Sequence, residues 1–203
     1  MQQTELLEQV STIKSVLDKS ALYRRSLFPP FLVCGLMGVG GAFAAHLLKI
    51  SSPNEVLLFW MLIAGITVIL TLIQLSRQCK NEESNFLEGP LRRIFMSSLP
   101  PLTVGAMGGV YALMYFPDSA LVSGQVVIGW LALYGITLTS ISVILARGIQ
   151  GFGWLFIASA LLAAFIFELD MANTALQNIV MGVGFGLMHL VLAGVEWFRV
   201  RHG

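Results

Sequence analysis

Residues 56–70 read Val-Leu-Leu-Phe-Trp-Met-Leu-Ile-Ala-Gly-Ile-Thr-Val-Ile-Leu. No charge interrupts the run, and bulky apolar side chains fall on every side of a helical turn. A helix on the surface of a soluble protein keeps a polar face, whereas one that is apolar all round is surrounded by protein or by lipid. Widened to 55–75, the stretch supplies the roughly 20 residues needed to cross about 30 Å of hydrocarbon. Stretches of the same kind lie near 28–48, 94–116, 120–145, 151–167 and 174–198. The interiors of the first five spans in chain order hold no Asp, Glu, Lys or Arg, and Glu196 lies in the last turn of the sixth.

Composition leads to the same class. The 203 residues are 56% hydrophobic and 11% charged, with a mean hydropathy of +0.80. A soluble domain carries about 25% charged residues. So few charges cannot wet the surface of a soluble globule, solvate a disordered chain or bind nucleic acid. A transmembrane β-barrel would alternate in strands of about 10 residues, and these runs are continuous blocks of about twice that length. The chain is expected to be an all-α polytopic membrane protein, with an amphipathic cytoplasmic or interfacial helix over 1–27 and a six-helix transmembrane domain over 28–203.

Lys and Arg are retained on the cytoplasmic side during insertion. With six spans, Lys14, Lys19, Arg24, Arg25, Arg77, Lys80, Arg92, Arg93, Arg147, Arg199 and Arg201 share one side. Of the 12 basic residues only Lys49 falls on the other. A missed or added span would scramble that split, so both termini are expected in the cytoplasm. No cleavable signal peptide is expected, because the first apolar run is too long for a signal h-region, and span one serves as an uncleaved anchor. Cys34 and Cys79 both fall on the reducing side without a Cys-x-x-Cys, which argues against a disulfide or a zinc site.

In the tail, Leu6, Val10, Ile13 and Leu17 recur at helical spacing, with Glu5, Gln9, Lys14 and Asp18 between them. That stripe fits a helix lying on the inner leaflet, its basic end at Arg24 and Arg25 near lipid phosphate. The sharper alternative is a two-heptad docking or dimerisation helix. Arg147, in the tight turn after span four, is a third candidate lipid-phosphate contact. The tails and the loop over 76–93 make the cytoplasmic face the largest surface outside the bilayer. The expected partners are the lipid bilayer and, at that face, a second copy of the chain or another protein.

The 20 glycines concentrate in the spans. Gly38/Ala42, Gly105/Gly109, Gly108/Ala112 and Gly182/Gly186 are small-xxx-small pairs, which let helix backbones approach in lipid. Spans one, three and six are therefore expected to form the bundle interior, with two and five facing lipid. Span three also carries Pro100 and Pro101, which remove backbone hydrogen bonds. With Gly105 they form a candidate kink or gate of the broken-helix kind seen in transporters.

Polar side chains within spans are the costly ones, and so the candidates for function. His189 and Glu196 share one face of span six with Gly182, Gly186 and Ala193, and form a candidate polar membrane site. His46 lies near the opposite membrane surface, roughly 15–20 Å away in depth at about 1.5 Å per residue. The two histidines therefore cannot share a haem. No catalytic set, cofactor site or metal-ligand spacing appears. Thr137, Thr139, Ser140 and Ser142 in span four could line a path or simply bond to their own helix.

Residues Ile13, Lys14, Leu17, Lys19, Ser20, Tyr23, Arg24, Ser26 and Leu27, followed by Gly35, Gly38, Gly41 and Ala42, resemble the opening of a group of uncharacterised bacterial six-helix membrane proteins. The resemblance implies the same topology and a bacterial inner-membrane location, and it carries no activity. Two function classes follow. One is a non-enzymatic scaffold, sensor or accessory subunit, which predicts a dry, glycine-packed bundle. The other is a small-molecule or ion transporter or channel subunit, which predicts a solvated path between spans one, three, four and six.

Overall fold

The computed structural model describes residues 28–81, 90–145, 147–169 and 173–202, and every regular element among them is helical. The helices are α1 (Phe28–Leu47), α2 (Pro53–Asn81), α3 (Pro90–Tyr115), α4 (Ala120–Leu145) and α5 (Arg147–Leu169). A continuous last helix follows, made of α6 (Thr174–Met181), a π turn (Gly182–Leu187) and α7 (Met188–His202). Among the described residues, five helices are long and apolar enough to cross a membrane: α1, α2, α4, α5 and the composite last helix. The chain is a multi-pass membrane protein. The 26-residue α3 is not among the five, because Pro100, Pro101, three glycines and the hydroxyls of Ser97, Ser98 and Thr103 dilute its apolar content. The tail proposed as an amphipathic helix, with Arg24 and Arg25, lies outside the described residues.

The short turn between α1 and α2 shows how the sequence ends one helix and starts the next. Lys49 adopts φ 53°, the left-handed conformation that usually favours glycine. Its N–H bonds to His46 O, and the N–H of Ile50 reaches back to Ala45 O. That pattern satisfies two orphan carbonyls at the end of α1. Pro53 then occupies the first helical position of α2, where its missing N–H costs nothing. Glu55 Oε2 accepts from the N–H of Ser52 at 3.1 Å and of Ser51 at 3.3 Å. The carboxylate thus covers donors at a positively polarised helix start.

Lipid exerts no hydrophobic force between helices, so close packing through small residues must hold them together. α1 crosses the last helix with Gly38 directly against the Gly186 backbone and Ala42 against Gly182. α4 and α5 form the most extensive pair, meeting where Gly135 and Gly153 put backbone on backbone. On α2, Leu58, Leu62, Ile66, Ile69 and Ile73 form an exposed apolar face, as expected of a lipid-facing helix.

One expectation about the interior is corrected and another holds. α3 lies at the edge, chiefly on α4 and more lightly on α2, with Leu102, Val104, Met107, Tyr111 and Met114 exposed. Two of its glycines receive side chains rather than a backbone: Trp130 lies over Gly105, and Met61 Sδ together with Trp130 lies over Gly109. α5 packs on α4 where Gly153 matches Gly135, and it turns Trp154, Leu155, Leu161, Leu162 and Phe165 outward, as expected of a lipid-facing span.

These contacts separate two neighbouring glycines. A Cβ on Gly38 would overlap the Gly186 backbone, whereas one on Gly40 meets nothing within 4 Å. Gly38→Ala should lower the unfolding free energy by about 1–3 kcal/mol, the usual range for overpacking. Gly40→Ala should leave it unchanged or raise it slightly. Unfolding of both variants in detergent micelles checks the contrast.

Candidate functional site

The last helix brings its polar groups to the interior at two levels. At the first, Asn173 caps α6 by accepting the N–H of Leu176, and three buried side chains then tie α6 to its neighbours. Thr174 Oγ1 donates to Ser51 O at 2.8 Å. Gln177 accepts from Ser123 Oγ at 2.9 Å and donates to Ala120 O at 3.2 Å. Asn178 accepts from Trp60 Nε1 at 2.8 Å and donates to Ile50 O at 3.3 Å. Adjacent amides point about 100° apart around a helix, so Gln177 serves α4 while Asn178 serves α2 and the turn before it. We call this set the latch. In the sequence Gln177 and Asn178 stand only as two polar residues near the start of an apolar run.

At the second level, His189 is 1% exposed and lies among the rings of Phe31, Tyr134, Phe156 and Phe185, with centroids 4.9–6.2 Å away. Its Nε2 and the Tyr134 hydroxyl are 2.6 Å apart. The carbonyls of Gly184 and Phe185 lie beside the ring as backbone acceptors, though neither meets Nδ1 in good hydrogen-bond geometry. The π turn sets this geometry. Its i to i+5 bonding gives Gly184 and His189 one bearing, toward Leu131 and Tyr134 of α4. Gly182 and Gly186 turn instead toward α1. The regular helical phase that put Gly182, Gly186 and His189 on one face is thereby corrected.

Glu196, also buried, accepts from Arg199 Nη1 at 3.1 Å through Oε1, while Oε2 has no partner. His189 and Glu196 do share the buried side of α7, but they are seven residues, or about 10 Å, apart along the axis. Each has a separate partner, so they do not form a direct pair. Among the described residues, four buried side-chain polar atoms form no hydrogen bond: Thr71 Oγ1, Gln74 Oε1, His189 Nδ1 and Glu196 Oε2. All belong to α2 or α7, on the stretches leading to Asn81 and His202. The Thr174–Ser51 bond puts the start of the last helix beside the start of α2, so the unpaired atoms lie toward the opposite end of the bundle from the latch.

The other candidates fall elsewhere. α3 runs unbroken through Pro100 and Pro101, and Pro100 is exposed. The Gly105 carbonyl accepts from Trp130 Nε1 at 2.8 Å, so the expected gate sits on a peripheral helix. The hydroxyls of Thr137, Thr139, Ser140 and Ser142 turn back onto carbonyls of α4 itself. Arg147 opens α5 and is described by its backbone alone. His46 is exposed. Among the described residues no group of three or more His, Cys, Asp and Glu could hold a metal. A shallow groove lined by Gly124, Gln125, Ile128, Ala164 and Phe167 lies between α4 and α5, away from the path drawn between spans one, three, four and six.

Comparison of the chain with protein families, curated proteins and solved structures finds no match.

The two levels differ in what a substitution removes. Asn178→Leu deletes both of its inter-element bonds and strands Trp60 Nε1, and should cost about 1–3 kcal/mol. Tyr134→Phe deletes one bond in an otherwise apolar cage and should cost about 0.6–2 kcal/mol, the range for interhelical bonds in membranes. Unfolding of the purified variants in detergent tests that ranking.

Proposed function

We propose that the chain is a six-span protein of the bacterial inner membrane with both termini in the cytoplasm. It acts as a non-enzymatic scaffold, sensor or accessory subunit. The observation that carries this reading is a filled interior. Gly38 and Gly186 meet backbone to backbone, and four aromatic rings close around His189. A conduit between spans one, three, four and six would need α3 turned inward, and its apolar side chains are exposed instead. α3 counts as the sixth span on its 26-residue length, about 39 Å at 1.5 Å per residue, and on the one-sided distribution of Lys and Arg. The function then lies at the cytoplasmic face, where the tail, the 76–93 loop and the C-terminus would meet a second copy or another protein.

Single cysteines introduced into a Cys34→Ser, Cys79→Ser background test the topology. Ser52→Cys and Ser119→Cys should react with an impermeant maleimide in intact spheroplasts, and Arg201→Cys only after the membrane is opened. The opposite pattern at any of the three would refute the arrangement. Proteoliposomes should leak ions and small polar solutes no faster than protein-free vesicles, and a protein-dependent flux would favour the transporter class.

A further inference from the structure

We propose that α3 is covered in the membrane by α3 of a second copy of the chain, the two helices running parallel about a twofold axis along the membrane normal. The seam between them is Ser97, Pro100, Val104, Met107, Tyr111 and Met114. The pair rests on the six-span reading above, which makes α3 a membrane helix, and it names the partner that the scaffold meets within the bilayer.

α3 lies at the edge of the bundle, and yet it is too dilute in apolar residues to stand among the five long apolar helices. A helix left facing lipid should show the reverse, as α2 does with Leu58, Leu62, Ile66, Ile69 and Ile73 on its exposed face. The polar groups of α3 are also unspent. Pro100 and Pro101 have no N–H, so the carbonyls of Met96 and Ser97 lack the donors that a regular helix would give them. Among the described residues, the exposed hydroxyls of Ser97 and Thr103 form no hydrogen bond. Those of Ser76 and Ser140, also exposed, return to carbonyls of their own helices. Counted from Pro90 at about 1.5 Å per residue, Ser97 lies about 10 Å and Thr103 about 20 Å along a helix of about 39 Å. Both depths fall within the roughly 30 Å of hydrocarbon, which offers neither donor nor acceptor.

Spacing and chemistry select a second copy as the cover. The seam residues recur at alternating intervals of three and four, the a/d pattern that parallel helices bury between them. All six are exposed. They lie on the side of α3 turned away from Gly105 and Gly109, where Trp130 and Met61 hold it to the bundle. Gly108, beside the seam, meets nothing within 4 Å, so two backbones can approach there. Met107 and Met114 bracket Tyr111, and thioethers pack adaptably against rings. The donor and its acceptors sit on one helix at one level, Ser97 Oγ beside the carbonyls of Met96 and Ser97. Lys and Arg insert every copy in one orientation, so a twofold axis along the normal brings each group to its counterpart at equal depth. The Ser97 hydroxyl of each copy then donates to a proline-freed carbonyl of the other, and Thr103, flanking the seam, meets its own counterpart. A different helix would need those donors and acceptors at those same depths, whereas an identical one has them by symmetry.

The test places single cysteines in the full chain, in the Cys34→Ser, Cys79→Ser background, and oxidises them in native membranes. Val104→Cys and Met107→Cys should crosslink the chain to a dimer. Ala106→Cys, exposed on the flank of the same helix, and Ile66→Cys, on the exposed face of α2, should stay monomeric. In micelles, Ser97→Ala removes one hydrogen bond from each copy and should raise the dissociation constant of the dimer about tenfold, read by energy transfer between labelled copies. Crosslinking at Ala106→Cys or Ile66→Cys as strong as at Val104→Cys, or an unchanged constant in Ser97→Ala, overturns the seam. No crosslink at Val104→Cys leaves lipid as the cover, and a crosslinked band of another mass makes the occupant a different protein; either result overturns the proposal. Labelling of Ser119→Cys in intact spheroplasts keeps the two readings apart. Reaction from outside without a dimer ends the pair and leaves six spans standing, and reaction only after the membrane is opened ends the six-span reading and the seam with it.

Discussion

The contact between Gly38 and Gly186 is the constraint on which the rest of the bundle depends. It brings α1 and the last helix so close that neither position tolerates a side chain. Oil offers no hydrophobic reward for joining two oily helices, so this approach must supply its own attraction through dispersion and weak backbone contacts. The π turn makes it compatible with everything else on the last helix. Glycines at 182 and 186 are spent on α1, and the wider turn re-aims Gly184 and His189 toward α4. A regular helix would have left these demands competing for one face. A π turn is often found where a side chain has to be placed against the regular phase, and here that side chain is the buried histidine.

The bundle satisfies its polar groups unevenly along the membrane normal. At one end Thr174, Gln177 and Asn178 are paired with Ser51, Ser123, Ala120, Trp60 and Ile50. Toward the other end, Thr71, Gln74, His189 and Glu196 each keep an atom without a partner. A bundle selected for rigidity alone would gain from replacing those four residues with apolar ones of similar size, since a half-satisfied polar network is worse than an apolar core. Among the described residues, the unmet bonding thus gathers toward the end away from the latch.

Much of this was legible in the sequence, and the reason it stops where it does is physical. The helices came from continuous apolar runs, because a lipid-crossing segment must be long and apolar whatever it packs against; the 120–145 span coincides with α4. The pairing of α1 with the last helix was legible too, since Gly38/Ala42 and Gly182/Gly186 are complementary spacings. The place of α3 was not. Gly105 and Gly109 have the spacing of a helix-packing pair, and a spacing does not say whether it receives a backbone or an indole. The inner contact of α5 was hidden for the mirror-image reason: Gly153 is one residue in an otherwise bulky, lipid-facing helix, and its importance exists only opposite Gly135. The latch was invisible because Trp60, Ser123 and Asn178 are far apart in sequence and gain meaning only when three helix ends meet.

The buried pair at His189 and the carboxylate at Glu196 were found by an argument that needs no structure: ionisable groups are costly in a membrane, so the few present are there for a reason. What that argument could not supply was their relation. Helical phase put them on one face and suggested that they pair, but seven residues of rise keep them apart. Each instead holds one partner and lacks another. That arrangement is not a direct relay from one group to the other. The ring cage closes on the histidine from α1, α4, α5 and the last helix, and the exposed arginine carries the bond of the buried carboxylate toward the C-terminal end of α7.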